Sequence, residues 1–110
     1  MSKITKSYIS GEGSQQLIYS TIGNKFEEIA EQFPNNDALV VCHQNIKWSY
    51  KQLNEKVDEL ATGLLALGLT KGDRLGIWGP NSYEWILTQL ATAKIGVIMV
   101  CINPAYRLYE

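Results

Sequence analysis

The stretch GDRLGIWGPNSYEW, residues 72–85, has the outline of a phosphate site. A short apolar strand runs into Gly79, Pro80, Asn81 and Ser82, and a helix-like segment follows. Free N–H groups and the dipole at a helix start attract anions. The details argue against a nucleotide. A dinucleotide turn wants G-x-G-x-x-G, so that the backbone can approach a pyrophosphate. Only Gly79 stands at this turn, and Pro80 removes one N–H donor. The spacing G-x-x-x-x-G-K-[ST] of a P-loop occurs nowhere in the chain. The stretch therefore reads as a capped strand-to-helix turn.

Other chemistry is equally sparse. No Ser/His/Asp set and no metal-ligating set is visible, so no catalytic residue is assigned. His43 is the single histidine and lies beside an expected turn, as a surface residue. Cys42 and Cys101 each fall within an apolar run and read as buried free thiols. Glu27, Glu28, Glu31, Asp58 and Glu59 flank apolar stripes and read as solvated helix faces. Trp48, Tyr50, Trp78 and Trp85 stand near element ends. They read as packing residues, with the wall of a ligand tunnel as the other option.

The elements that must position any site are clearer. Residues 1–20 read as an arm with little structure of its own. Thr21 is a plausible N-cap, and Ile22, Phe26, Ile29 and Phe33 form one helical stripe that Pro34 ends. Residues 38–42 and 46–48 read as a hairpin turning at His43, Gln44 and Asn45. Ser49 with Gln52 fits a capping box, and Leu53, Val57, Leu60, Leu64 and Leu67 make the clearest amphipathic helix. Gly68 suits the left-handed position after it. Residues 74–78 form a strand. Asn81 with Glu84 gives a second capping-box spacing, before a helix over 82–94 that is apolar on several faces. Residues 97–102 form a continuous apolar strand, the kind buried on both faces of a parallel sheet.

The class is α/β: a helix, a hairpin and a second helix, then a right-handed parallel βαβ unit. The 110 residues, 45% hydrophobic and 19% charged, allow one globular domain. Residues 21–110 are expected to be part of a larger sheet domain, because NPAYRLYE follows the last strand and nothing covers it. Its uncovered apolar surface is expected to promote self-association. A net charge of −1 without a basic stripe excludes nucleic acid as a first choice of partner. The polar N-terminal residues lack the apolar core of a secretory signal, and no apolar run reaches the ~18 residues of a membrane span. A reducing compartment, cytoplasmic or matrix-like, is expected, with the cytoplasm as first choice.

Longer motifs carry a resemblance. They include L-x-x-x-x-x-x-L-A-x-G-L at residues 53–64, G-L-x-x-G-D-R-L at 68–75, P-N-S-x-E-W at 80–85 and I-N-P-A-Y-R at 102–107. With the helix-hairpin-helix order, the chain from about residue 20 onward resembles the start of the adenylate-forming superfamily. The last two motifs look like its fatty-acid and medium-chain acyl-CoA synthetase branch. The resemblance implies a much longer enzyme that uses ATP, magnesium and coenzyme A to turn a fatty acid into its thioester through an acyl-adenylate. The phosphate loop, ribose-binding Asp and catalytic lysine of that family lie downstream of this stretch, so no cofactor is expected on the fragment, which is scaffold. One weak site is implied: Asn103 and Pro104, at the end of the last strand, lie near the family's path for the pantetheine arm of coenzyme A. A short stand-alone binding or assembly module, or a small nucleotide-binding domain, are the rival readings.

Overall fold

Thr21 starts the first helix by the mechanism its side chain predicts. In the computed structural model, which describes residues 7–109, its hydroxyl oxygen accepts the Asn24 N–H at 3.2 Å and opens α1, Ile22–Gln32. Residues 7–20, ahead of it, form neither helix nor strand and are exposed. The expected stripe on α1 is only half used. Phe26 and Ile29 turn inward, whereas Ile22 and Phe33 stay exposed. The buried contacts are the small residues Gly23 and Ala30. A Cβ on Gly23 would lie 3.0 Å from the Lys94 Cα, so any other residue would push the two helices apart by a few tenths of an ångström.

The hairpin forms as expected. Strands β1, Asp37–Val41, and β2, Ile46–Ser49, pair antiparallel. A 3-10 turn over Cys42–Gln44 joins them, and Asn45 closes it with φ of 54°. Asparagine tolerates that left-handed conformation better than most residues. Helix α2, Tyr50–Ala66, begins with the complete Ser49–Gln52 capping box. It buries Leu53, Val57, Ala61 and Leu64. Its end is a Schellman motif: Leu69 N–H donates to Leu64 C=O, Gly68 N–H to Leu65 C=O, and Gly68 has φ of 95°. Leu67 falls past the last turn and stays exposed.

Strand β3, Arg74–Trp78, helix α3, Tyr83–Ile95, and strand β4, Ile98–Ile102, complete the chain's βαβ unit. The strands pair in parallel, from Arg74 opposite Ile98 to Trp78 opposite Ile102. Helix α3 touches α1, α2, β3 and β4, which accounts for its apolar residues on several faces. Thr92 is buried in its middle without penalty, because its hydroxyl donates to the Thr88 carbonyl at 2.7 Å.

Two expectations of burial are corrected. Strand β4 is not covered on both faces: Ile98 and Val100 are exposed beside Trp78, because two strands with α3 on one side leave the other side open. Neither thiol is buried. Cys42 lies in the hairpin's 3-10 turn, and Cys101 lies near the carboxyl end of β4, where it lines an open cleft.

The three helices meet at one cation. The Lys94 side chain is 10% exposed, and its ammonium donates to Glu27 of α1 at 3.0 Å, and to Asn54 and Asp58 of α2 at 2.7 and 2.6 Å. The Phe26 ring lies 5.7 Å from it. Glu27 and Asp58 were expected to be merely solvated. They are half exposed, yet each spends one oxygen on this lysine. A desolvated ammonium must keep such partners. Replacing it by the apolar Lys94→Met leaves two carboxylates that water can reach. We expect a loss of about 2 kcal/mol, the scale of charge-assisted bonds, read as a lower urea midpoint at unchanged slope. An unchanged midpoint would show that the clamp contributes nothing net.

Candidate functional site

In open α/β sheets, ligands bind beyond the carboxyl ends of the strands. Strands β3 and β4 both end at the same edge, and a cavity of about 560 Å³ lies there. Gly79, Pro80 and Asn81 line one side, Cys101, Ile102, Asn103 and Pro104 the other, and Trp85 of α3 the wall between. The two sharpest motifs of the sequence thus face each other across one cleft. Asn103 and Pro104, the weak site residues, are both in it and both exposed. The Asn103 side-chain carbonyl accepts the Ala105 N–H at 3.0 Å, so half of its amide is committed to holding the turn. The other aromatics divide. Trp48 packs edge-on against Tyr83, with ring centres 5.2 Å apart, whereas Trp78 is largely exposed.

The start of α3 is built differently from the expected capping box. Ser82, not Asn81, is the N-cap, and its side chain caps nothing. The cap comes from the hairpin, 39 residues away: the Tyr83 N–H donates to the Gln44 side-chain carbonyl at 2.8 Å. The other end of the same amide donates to the Glu84 carboxylate at 2.9 Å. Gln44 thus bridges the first turn of the helix. No local spacing announces this; the only signal in the sequence is a polar residue in a hairpin turn.

The bridge decides the question of phosphate at this turn. A helix start attracts anions through unpaired N–H groups. Here the Tyr83 N–H is already taken, and the Glu84 carboxylate in the first turn would repel a phosphate. A carboxylate and an engaged N–H do not suit the phosphates of ATP. The cleft does suit a slim chain with amide groups: Trp85, Pro80 and Pro104 offer apolar walls, and Asn81 and Asn103 offer amides.

A cleft at the ends of parallel strands, walled by the helix that joins them, is the place where open α/β sheets bind ligands. The chain belongs to the AMP-binding enzyme family, whose description matches residues 26–110. The medium-chain acyl-CoA ligase ACSF2, mitochondrial, of Rattus norvegicus is 53% identical over 104 residues, which is 94% of this chain and 17% of that protein. The Homo sapiens protein of the same name is 50% identical over the same length. The chain thus spans about a sixth of these relatives. Among solved structures, a fatty acyl CoA synthetase of Mycobacterium tuberculosis superposes with a TM-score of 0.75 at 32% identity, over 78% of this chain and 17% of that one. The N-terminal subdomain of NpsA from Klebsiella oxytoca gives 0.74 at 33% identity, over 79% of this chain and 22% of that one. The resemblance to acyl-CoA synthetases and the α/β class both stand. The cytoplasmic location does not: the relatives at about half identity are mitochondrial by name, and the polar N-terminal residues were no basis for the choice.

The Gln44 bridge has a titration signature. Hydrogen bonds from Gln44 and from its own backbone N–H hold the Glu84 carboxyl below its ordinary value near 4.5. The bridge therefore stabilises the fold above that value and stops doing so as pH falls through the folded-state titration. In Gln44→Met, we expect the Glu84 carboxyl carbon to titrate at higher pH in an NMR series than in the native chain. The same midpoint in both would remove the bridge as the cause.

Proposed function

We propose that this chain is the opening part of an ATP-dependent fatty acid–CoA ligase, with the domain portion beginning near residue 21. The whole protein joins a fatty acid to ATP, releases pyrophosphate, and passes the acyl group to the thiol of coenzyme A, with magnesium as the nucleotide's partner. The observation that carries this reading is the match of residues 26–110 to the AMP-binding enzymes, together with ligases at about half identity over nearly the whole chain. The stretch acts as scaffold. It contributes the strand-end cleft, where Asn103 and Pro104 lie beside the slim pantetheine arm of coenzyme A.

The chemistry of the cleft supports that placement. Proline and tryptophan faces suit methylenes, and side-chain amides suit the amides of such an arm. The residues for ATP belong elsewhere in the protein, because the first turn of α3 has its Tyr83 N–H engaged by Gln44 and carries the acid Glu84. ATP–pyrophosphate exchange with a panel of fatty acids tests this. We expect exchange from the gene's full-length product and none from residues 1–110 alone. Exchange by the 110-residue chain would overturn the scaffold role, and none by either would overturn the ligase.

The outward sheet face gives the isolated chain a further property. Trp78, Ile98 and Val100 form an exposed apolar row beside unpaired strand edges. Such surfaces associate. We expect light scattering to show dimers or larger species of the isolated chain as concentration rises. A monomer at high concentration would contradict this.

A further inference from the structure

Trp85 lines two spaces at once. On one side is the strand-end cavity, with Pro80, Asn103 and Pro104. On the other is a smaller cleft of about 210 Å³ against the hairpin, lined by Val41, His43, Asn81, Ser82 and Ile86 as well. The indole is thus a partition between hairpin and cavity, and its place depends on the first turn of α3. That turn has no side-chain cap of its own, since the Ser82 side chain makes no capping hydrogen bond. Gln44 bridges it from the hairpin, through the Tyr83 N–H and the Glu84 carboxylate. The Trp48 ring, packed on Tyr83, holds the same turn from β2.

We propose that Gln44 is a positioning residue for the strand-end cavity: by bridging the first turn of α3 it sets where the Trp85 ring stands, and so how tightly the cavity holds the thiol substrate's slim chain. The identity of that ligand rests on the ligase reading above; the positioning itself does not. Gln44 touches no part of the cavity and acts only through α3. A wall displaced by a fraction of an ångström weakens the binding of a chain threaded past it more than it slows chemistry elsewhere. The signature is therefore in KM for the thiol.

Two variants of the full-length protein separate positioning from general damage. Gln44→Met keeps the side-chain length and removes both hydrogen bonds. Gln44→Glu combined with Glu84→Gln exchanges acceptor and donor: the new carboxylate accepts from both the Tyr83 N–H and the new amide. We expect Gln44→Met to raise KM for coenzyme A about tenfold with kcat within about twofold, since misplacement of this kind costs up to about a hundredfold. The exchanged pair should return KM to within about threefold of native, the residue of imperfect geometry. Hydrogen exchange of the Tyr83 amide, read by mass spectrometry on the same proteins, should quicken in Gln44→Met and slow again in the exchanged pair. An unchanged KM in Gln44→Met, or a KM that stays high in the exchanged pair once Tyr83 protection has returned, overturns the proposal. If the native protein shows no coenzyme A-dependent step, the ligase reading fails. The positioning claim then stands or falls on the Tyr83 amide, and equal exchange in native and Gln44→Met overturns it.

Discussion

A single ammonium group sits where three helices meet, and the arrangement of the chain follows from satisfying it. Lys94 is nearly buried in the last turn of α3, where the helix dipole favours a cation. Its donors go to two helices at once. A buried charge left unpaired is costly, so the register of α1 and α2 against α3 is fixed by this requirement as well as by apolar contact. Gly23 makes it possible, because any larger residue would hold α1 off the Lys94 backbone. Leu53, Val57, Leu64, Leu87 and Ala91 then close the core beside the cation.

The same helix carries the order of the core to the edge of the sheet. Its carboxyl end is held by the Lys94 clamp and its amino end by the Gln44 bridge, one from the helical layer and one from the hairpin. Between these ends it covers one face of β3 and β4 and presents Trp85 at their carboxyl ends. A ligand cleft needs at least one wall that does not yield. Here the wall is a helix held at both ends.

What was legible in the sequence was local. Thr21, the Ser49–Gln52 box and Gly68 act within one turn of themselves, and each does what its type and spacing predict. The parallel pairing of 74–78 with 98–102 followed from two apolar runs around one helix. The failures were tertiary. Asn81 and Glu84 have capping-box spacing, but a glutamine from the hairpin supplies the cap instead. Lys94 looks like any solvated lysine at a helix end, because its partners lie 36 to 67 residues away. Cys101 sits in a run apolar enough for a core, yet it faces the open cleft at the strand's end. The cleft itself was half visible: Asn103 and Pro104 came from family resemblance, whereas Trp85 as their opposing wall required the fold.

Native-state amide hydrogen exchange on the 110-residue chain tests the central claim, that α1, α2 and α3 are one unit joined at Lys94. Helices sharing a buried clamp open together. Protected amides in the middle of all three should exchange through one common opening, with the same dependence on low denaturant concentrations. The two-stranded sheet β3–β4, open on one face, should exchange sooner. Exchange of the α1 amides well ahead of α2 and α3 would contradict the account, because the cation would then hold together only two of the three helices.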